Sequence, residues 1–229
     1  MRDLTNLSWP EAPFGGVQRP FGQSARLVVA VAFDWADSAD GGQMPVGTAV
    51  SYLHVRRTGT LAIRDIGYNF GFRANVLDDR AEVPELVALA DRALVRARRH
   101  AVVLTGHDLD HDLNRLPTWS QQRLAGVMGV REAWRNRAVR GRGLAQMFDT
   151  RYDHTHLSAD LDPPFEAYEA AGSGDLGLVG RSLSIGLITA CRLGLLGWDG
   201  TFRVLEVVAE AAWDLVDQAG PSATEGDTA

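Results

Sequence analysis

The chain alternates between short apolar runs and stretches with helical spacing of its hydrophobic residues. An apolar run at 27–33 that is closed by Asp34 predicts a buried strand with a carboxylate at its C-terminal end. Two further runs, at 46–57 and 60–70, are rich in β-branched and aromatic residues, and a Thr-Gly turn separates them. The first third of the chain therefore predicts a three-stranded meander.

Helical spacing follows the meander. Pro84 lies near the first turn of this predicted helix, where proline is tolerated. Its apolar residues recur at intervals of three and four, which places them on one face of a helix. They are Val83, Leu86, Val87, Ala90 and Leu94.

The next strand, at 101–105, leads into the stretch "GHDLDHDL", which holds two histidines and three aspartates in eight residues. After a strand, this stretch predicts the start of a second helix, and Asp108 fits its N-cap position. Leu109, Leu113 and Leu116 recur at i, i+4 and i+7, so we expect them to face the core.

The second half of the chain predicts more helix than strand. We expect an inserted helical segment at about 118–147, a short strand in "QMFDTRYD", and a loop at 154–180 whose "GSGDLGLVG" reads as flexible linker. Two helices complete the pattern, one from 181 with Ser182 as N-cap and one at 200–218. The order β-β-β-α-β-α, inserted helix, β-α-α predicts an α/β fold with a mixed sheet and helices on its faces.

Composition narrows the class of protein. Hydrophobic residues make up 45% and charged residues 23%, as in ordinary globular proteins. No apolar run approaches the roughly 20 residues that span a bilayer, and the N-terminus lacks the apolar core of a signal peptide. The single cysteine, Cys191, excludes an intramolecular disulfide and is expected to be a buried structural thiol. We expect a cytoplasmic protein with no membrane partner.

The histidines suggest a metal site, with a simpler alternative. His107 and His111 lie at i and i+4, a spacing that can chelate zinc on one face of a helix. A helix start is equally a place where polar residues satisfy exposed N–H groups. The "DHTH" at 153–156 allows the same two interpretations, as a metal site or as a solvated loop.

Basic residues concentrate in the inserted segment, although the net charge is −6. All 23 basic residues are arginines, and six of them fall within 123–142 against one acid, Glu132. Such a segment can bind the phosphates of a nucleic acid, and an aromatic side chain there can stack on a base. The candidates are Arg131, Arg135, Arg137 and Trp134. The alternative is a solvated helix whose tryptophan packs on the body of the protein.

The element order resembles that of the DEDD-type 3′–5′ exonucleases of the ribonuclease H-like superfamily, from about Arg26 to Gln218. An aspartate ends the first strand, and another lies on the helix after the fourth. The resemblance implies a ribonuclease H-like mixed five-stranded sheet, with an antiparallel three-stranded meander plus parallel strands, flanked by helices. It also implies four carboxylates that hold two divalent ions, Mg²⁺ or Mn²⁺.

The family motifs match in part. In "FDWAD" the first Asp is Asp34, but Ala36 occupies the position of the family's Glu, and Asp37 follows it. In "HDLDHDL" the second metal-binding Asp is Asp112. In the third motif Asp199 replaces His and Val204 replaces Asp. The resemblance thus implies a weak Mg²⁺ or Mn²⁺ site with metal ligands Asp34 and Asp112, and catalytic candidates Asp34, Asp112 and Asp199.

The leading hypothesis is an exonuclease-fold protein that binds nucleic acid or a partner protein and whose hydrolysis is lost or weakened. The first alternative is an active metal-dependent 3′–5′ exonuclease on single-stranded DNA or RNA with rearranged ligands. The second is a structural or regulatory interaction module without nucleic acid. The expected organisation is an N-terminal arm at 1–24, the exonuclease-like domain at 25–219 and a disordered tail at 220–229.

Overall fold

A computed structural model describes residues 1–5, 7, 26–38, 41–55, 70–137, 145–153 and 174–193. In these ranges the fold is α/β, with one mixed sheet of six strands in the order β1-β4-β3-β2-β5-β6. The strands are β1 Arg2–Thr5, β2 Leu27–Asp37, β3 Gln43–His54, β4 Phe70–Val76, β5 Ala101–Gly106 and β6 Gln146–Asp149. The α-helices are α1 Val83–His100, α2 Leu109–Arg115, α3 Ala125–Arg135 and α4 Gly174–Arg192.

The predicted meander is present in the centre of the sheet. Strand β2 pairs antiparallel with β3, and β3 pairs antiparallel with β4. The third strand is described from Phe70 to Val76, past the end of the predicted run, where Arg73 and Asn75 interrupt the apolar residues of the sequence. The predicted strand residues 60–69 lie outside the described residues.

The sheet has a sixth strand that hydrophobic pattern did not predict. Strand β1 forms within the expected N-terminal arm and pairs antiparallel with β4. Polar side chains hold it in place: Asp3 accepts hydrogen bonds from Arg73 and from the Asn75 amide at 3.1 Å. The Thr5 hydroxyl donates to the carbonyl of Phe72 at 2.7 Å. Four residues without an apolar period give no strand signal, because their pairing depends on distant partners.

Two parallel strands complete the other side of the sheet. Strand β5 pairs parallel with β2, and β6 pairs parallel with β5. The carboxyl ends of β2, β5 and β6 therefore lie at the same edge of the sheet. The predicted strands at 101–105 and in "QMFDTRYD" are confirmed.

Helices cover both faces of the sheet. The predicted apolar stripe of α1 is buried, with Ala97 extending it, and joins one core cluster with α2 and α3. Leu109, Leu113 and Leu116 are each 1% exposed in that cluster, as predicted. Helix α4 packs on the opposite face. No helix in the described ranges combines the length and the apolar character needed to cross a bilayer.

Helix α4 begins earlier than the sequence indicated. The predicted linker and N-cap are wrong, because residues from Gly174 are helical and Ser182 lies inside the helix. Leu178 and Val179 are buried against the sheet, and this packing outweighs the low helix propensity of the surrounding glycines. The Ser182 hydroxyl donates to the carbonyl of Val179 at 2.8 Å. The predicted helix at 200–218, with Val204, and the tail at 220–229 lie outside the described residues.

Candidate functional site

Aspartates collect where the parallel strands end. We call this the acidic edge, and its five members come from β2, from the β5–α2 connection, from α2 and from the end of β6. They are Asp34, Asp108, Asp112, Asp149 and Asp153. The edge forms because strands that run in parallel bring their carboxyl ends together.

The carboxylate of Asp149, at the end of β6, binds the N-terminus of α2. Its two carboxylate oxygens accept the backbone N–H groups of Asp108 at 3.0 Å and Leu109 at 2.9 Å. The N–H of Arg151 donates to the same carboxylate at 2.9 Å. Burial raises the pKa of Asp149, and these three N–H donors oppose the rise. Sequence reasoning missed this residue; its only signal was an aspartate that closes a short apolar strand.

Asp108 occupies the N-cap position of α2, yet its side chain does not cap the helix. Its backbone is left-handed with φ of 58°, a conformation that Asp tolerates better than most residues. The carboxylate turns away and accepts hydrogen bonds from Arg151 and from the Tyr152 hydroxyl, the latter at 3.0 Å. The predicted side-chain cap by Asp108 is therefore wrong, and Asp149 supplies it.

Asp112 is held by aromatic and cationic neighbours. The indole N–H of Trp35 donates to its carboxylate at 2.8 Å, and the Arg115 guanidinium stacks over the same indole at 3.9 Å. Burial raises the pKa of Asp112 to about 7, and the charges of Asp108 and Asp149 add to the rise. The Trp35 hydrogen bond and Arg115 act in the opposite direction without cancelling it.

Asp34 has a different partner on the other face of the sheet. Its carboxylate lies 3.2 Å from the Arg181 guanidinium of α4, with 27% of the Asp34 side chain and 12% of the Arg181 side chain exposed. Trp35, the next residue, packs with the opposite core cluster and carries the contact to Asp112. Alternation along β2 thus directs Asp34 and Asp112 to partners on opposite faces.

The described contacts of Asp34 and Asp112 do not fit a shared two-metal site. Asp37 does not replace the missing Glu at Ala36, because β2 continues through Asp37, which pairs with Gln43. Among the described residues no three His, Cys, Asp or Glu side chains are arranged to hold a metal ion. The third candidate, Asp199, lies outside the described residues.

The two histidines of "GHDLDHDL" have separate partners. His107 Nδ1 lies 3.0 Å from the Thr150 hydroxyl, whereas His111 Nε2 is exposed and lies 3.4 Å from Arg115. These contacts tie His107 to the end of β6 and leave His111 on the surface of α2. They give no support to a zinc pair. Residues 154–156 of "DHTH" lie outside the described residues.

A second site lies between α1 and α3, and we call it the arginine groove. It encloses about 630 Å³ and its charged lining residues are Arg98, Arg123, Arg131, Arg135 and Glu132. None of these four arginines forms an ion pair within the described part of the chain, and the buried Arg131 Nε has no hydrogen-bond partner there. Four positive charges against one negative charge make the groove electropositive.

Close helix packing builds the arginine groove. The Asp91 carboxylate of α1 accepts the N–H of Val127 at 2.8 Å, so another distant aspartate binds a helix N-terminus. A Cβ at Gly126 would lie 2.1 Å from the Asp91 backbone oxygen. A Cβ at Gly129 would lie 2.3 Å from Arg98 Nη1. The two glycines therefore permit the contact that places Arg98 beside the arginines of α3.

The structure divides the predicted nucleic-acid residues into two groups. Arg131 and Arg135 line the arginine groove. Arg137 instead stacks over the Trp134 ring at 3.9 Å and lies 3.7 Å from Asp153 at the acidic edge. Trp134 is half-buried against the core, as predicted by the alternative in which the tryptophan packs on the body of the protein. Arg98, absent from the sequence-based candidates, joins the groove through packing that its position in the sequence does not reveal.

Comparison of the chain with family models, curated proteins and solved structures gives no match.

Proposed function

We propose that this chain is a ribonuclease H-like, exonuclease-fold protein that binds single-stranded nucleic acid through the arginine groove and has lost or weakened hydrolysis. The observation that carries the proposal is the grouping of Arg98, Arg123, Arg131 and Arg135 around one groove, where none of them forms an ion pair with a described residue. Guanidinium groups recognise phosphates with paired N–H donors and keep their charge at all physiological pH values.

The sheet supports the fold part of the proposal. An antiparallel meander β4-β3-β2, followed by the parallel strands β5 and β6, is the arrangement that the family resemblance implies. Asp34 lies near the end of β2 and Asp112 on the helix after β5, which are the family's positions for two carboxylates. Strand β1 is an addition at the far edge.

The surroundings of the two aspartates support weakened hydrolysis. The Arg181 guanidinium already compensates the charge of the Asp34 carboxylate, and so lowers the affinity of that carboxylate for a metal cation. The Asp112 carboxylate already accepts the Trp35 indole N–H at 2.8 Å, so one of its two oxygens is engaged. Any Mg²⁺ or Mn²⁺ at these two aspartates is therefore proposed to bind weakly.

The proposal requires phosphate contacts that weaken with salt. Each phosphate neutralised on a single strand contributes about −0.7 to the slope of log affinity against log salt. Four groove arginines that each contact one phosphate would thus give a slope near −3. Groove binding is expected to be tolerant of base sequence, because phosphate contacts carry no base information.

The binding experiment uses fluorescence anisotropy with labelled single-stranded DNA and RNA of about 15 nucleotides, close to the upper end of common site sizes. The double variant Arg98→Gln/Arg135→Gln is expected to lower the salt slope by about 1.4 and the affinity by about tenfold or more. Arg99→Gln on α1 is the matched control, since Arg99 carries the same charge but does not line the groove. Equal binding by both variants and by the wild type would exclude the groove as the site.

A hydrolysis assay separates the alternatives. Incubation of the same strands with Mn²⁺ is expected to leave them intact over many turnover times of an ordinary nuclease. Degradation that Asp34→Asn or Asp112→Asn abolishes would instead establish the active 3′–5′ exonuclease. Absence of salt-sensitive binding to either strand would favour an interaction module that binds a protein partner.

A further inference from the structure

Part of the lining of the arginine groove is not cationic, and we call this part the central strip. Its members recur at intervals of three and four along α3, so they share one face of the helix. They are Ala125, Met128, Gly129 and Glu132. Helical spacing places Arg131 and Arg135 along one side of the strip, and Arg98 of α1 lies beside Gly129 on the other side. A ligand in the groove therefore meets cations on both sides of a strip that has none.

Met128 presents an apolar side chain in the central strip. It is 47% exposed, and in the described ranges Tyr152 is the other large hydrophobic residue with an exposed side chain. A thioether is polarisable and makes favourable contacts with aromatic rings, and every nucleic-acid base has such a ring face. A phosphate offers no surface of this kind. Met128 is therefore suited to contact a base rather than the backbone of a bound strand.

Glu132 favours the same orientation of a strand through its charge. It lies one turn after Met128 in the central strip, and its side chain is exposed. Because a carboxylate repels phosphates, we expect the backbone of a bound strand to follow the arginines beside the strip and not its middle. Attraction of bases by Met128 and repulsion of phosphates by Glu132 thus favour a strand whose bases face α3.

We propose that the arginine groove binds a single strand with its bases turned toward α3, and that Met128 contacts one of these bases. This inference rests on the proposed function and adds a base contact to the phosphate contacts of the arginines. A duplex does not offer the contact, because its bases are stacked and paired along their length. The contact is tolerant of sequence, because every base has a π face.

The test compares two labelled strands of about 15 units by fluorescence anisotropy with the full chain. One strand is oligothymidine, and the other has the same phosphates but carries tetrahydrofuran residues, which have no base, at every position. Met128→Gln is expected to lower the affinity for oligothymidine by about three- to tenfold, as for a lost contact between a thioether and a ring, and to leave the affinity for the abasic strand unchanged. Met128→Leu is the matched control: it keeps an apolar side chain and should bind oligothymidine as the wild type does.

Glu132→Gln tests the second part of the orientation. It is expected to raise the affinity for the abasic strand more than that for oligothymidine, because a strand without bases can bring its phosphates over the central strip. Glutamine and leucine are helix formers comparable to methionine, so these exposed substitutions should keep α3, as circular dichroism would show.

The outcomes separate this inference from the proposed function. Salt-sensitive binding of both strands, with no loss or equal losses in Met128→Gln, would overturn the base contact and leave phosphate binding by the groove intact. A paired duplex that loses as much affinity in Met128→Gln as oligothymidine does would also overturn the base contact. Absence of binding to either strand by the wild type would overturn both the base contact and the proposed function.

Discussion

The carboxylate of Asp149 accepts the backbone N–H of Leu109 at 2.9 Å, and so joins the end of β6 to the first turn of α2. Asp149 is 0% exposed and accepts three N–H groups with two oxygens. The helix thus obtains its N-terminal acceptor from a residue 40 positions away in the sequence.

Asp149→Asn is expected to lower the free energy of unfolding by about 2 to 3 kcal/mol, because the amide replaces one acceptor oxygen by an N–H₂ group that faces another donor. Urea unfolding monitored by circular dichroism measures the change. Asp110→Asn on α2 makes the same chemical change outside this contact and should stay within about 0.5 kcal/mol of the wild type. Equal effects of the two substitutions would contradict the capping role.

Gly126→Ala is expected to destabilise the fold by about 1 to 3 kcal/mol, because the added Cβ would lie 2.1 Å from the Asp91 backbone oxygen and would push α3 away from α1. Gly42→Ala is the control, since no atom lies within 4 Å of the corresponding Cβ. Gly126→Ala should also weaken nucleic-acid binding, because Arg98 reaches the groove only across the contact between α1 and α3. A stable Gly126→Ala protein with unchanged affinity would show that the close contact is dispensable.

Asp112 predicts a pH dependence of stability. Its folded pKa of about 7 lies above the value of about 3.9 in an unfolded chain, so the folded state binds the proton more tightly between these limits. The contribution of Asp112 to stability is therefore fully present below about pH 4, falls as pH rises, and is lost above about pH 7. The full effect is at most about 4 kcal/mol, reduced by the part of the side chain that touches solvent.

Asp112→Asn keeps an oxygen that can accept the Trp35 N–H and removes the titration. Relative to the wild type, this variant should gain more stability at about pH 8 than at about pH 5. Thermal unfolding at both pH values measures the difference. Asp37→Asn is the control, because it makes the same substitution at an exposed position at the end of β2. A wild-type stability that rises from pH 5 to pH 8 with no difference in Asp112→Asn would disprove this prediction.

The pair of Arg181 and Asp34 predicts a measurable coupling energy. A double-mutant cycle with Arg181→Met and Asp34→Asn should give about 1 to 2 kcal/mol, because both side chains are largely removed from solvent. The pair of Arg2 and Asp78 is the control: both side chains are 51% exposed, and its coupling should lie between about 0 and 1 kcal/mol. Similar coupling energies for the two pairs would mean that Arg181 does not compensate the charge of Asp34.

Local pattern predicted the elements that bury a continuous apolar face. The stripe of α1 and the leucines of α2 follow directly from spacing, because burial of one helix face requires it. Strand β1 was missed because polar pairing with β4 holds it in place. The first two turns of α4 were missed because packing against the sheet stabilises them.

The sites were less accessible from sequence than the fold. Asp112 and Asp34 stand out as acids beside apolar runs, but their partners Trp35 and Arg181 depend on which face of β2 each residue occupies. Arg98 and Arg131 share a groove only because two glycines allow two helices to meet. Asp149 has a role only once β6 lies beside β5. Each of these relationships is tertiary, so residue type and spacing cannot express it.

The aspartates that bind the ends of α2 and α3 also bear on how the chain folds. Leu109 and Val127 depend on acceptors in β6 and α1, so neither short helix can be stable in a fragment that lacks those partners. These helices form only when distant segments come into contact. This requirement favours an all-or-none folding transition over stepwise assembly. The amide hydrogens of Leu109 and Val127 should therefore exchange with solvent at the slow rate of global unfolding, although both lie in the first turns of their helices.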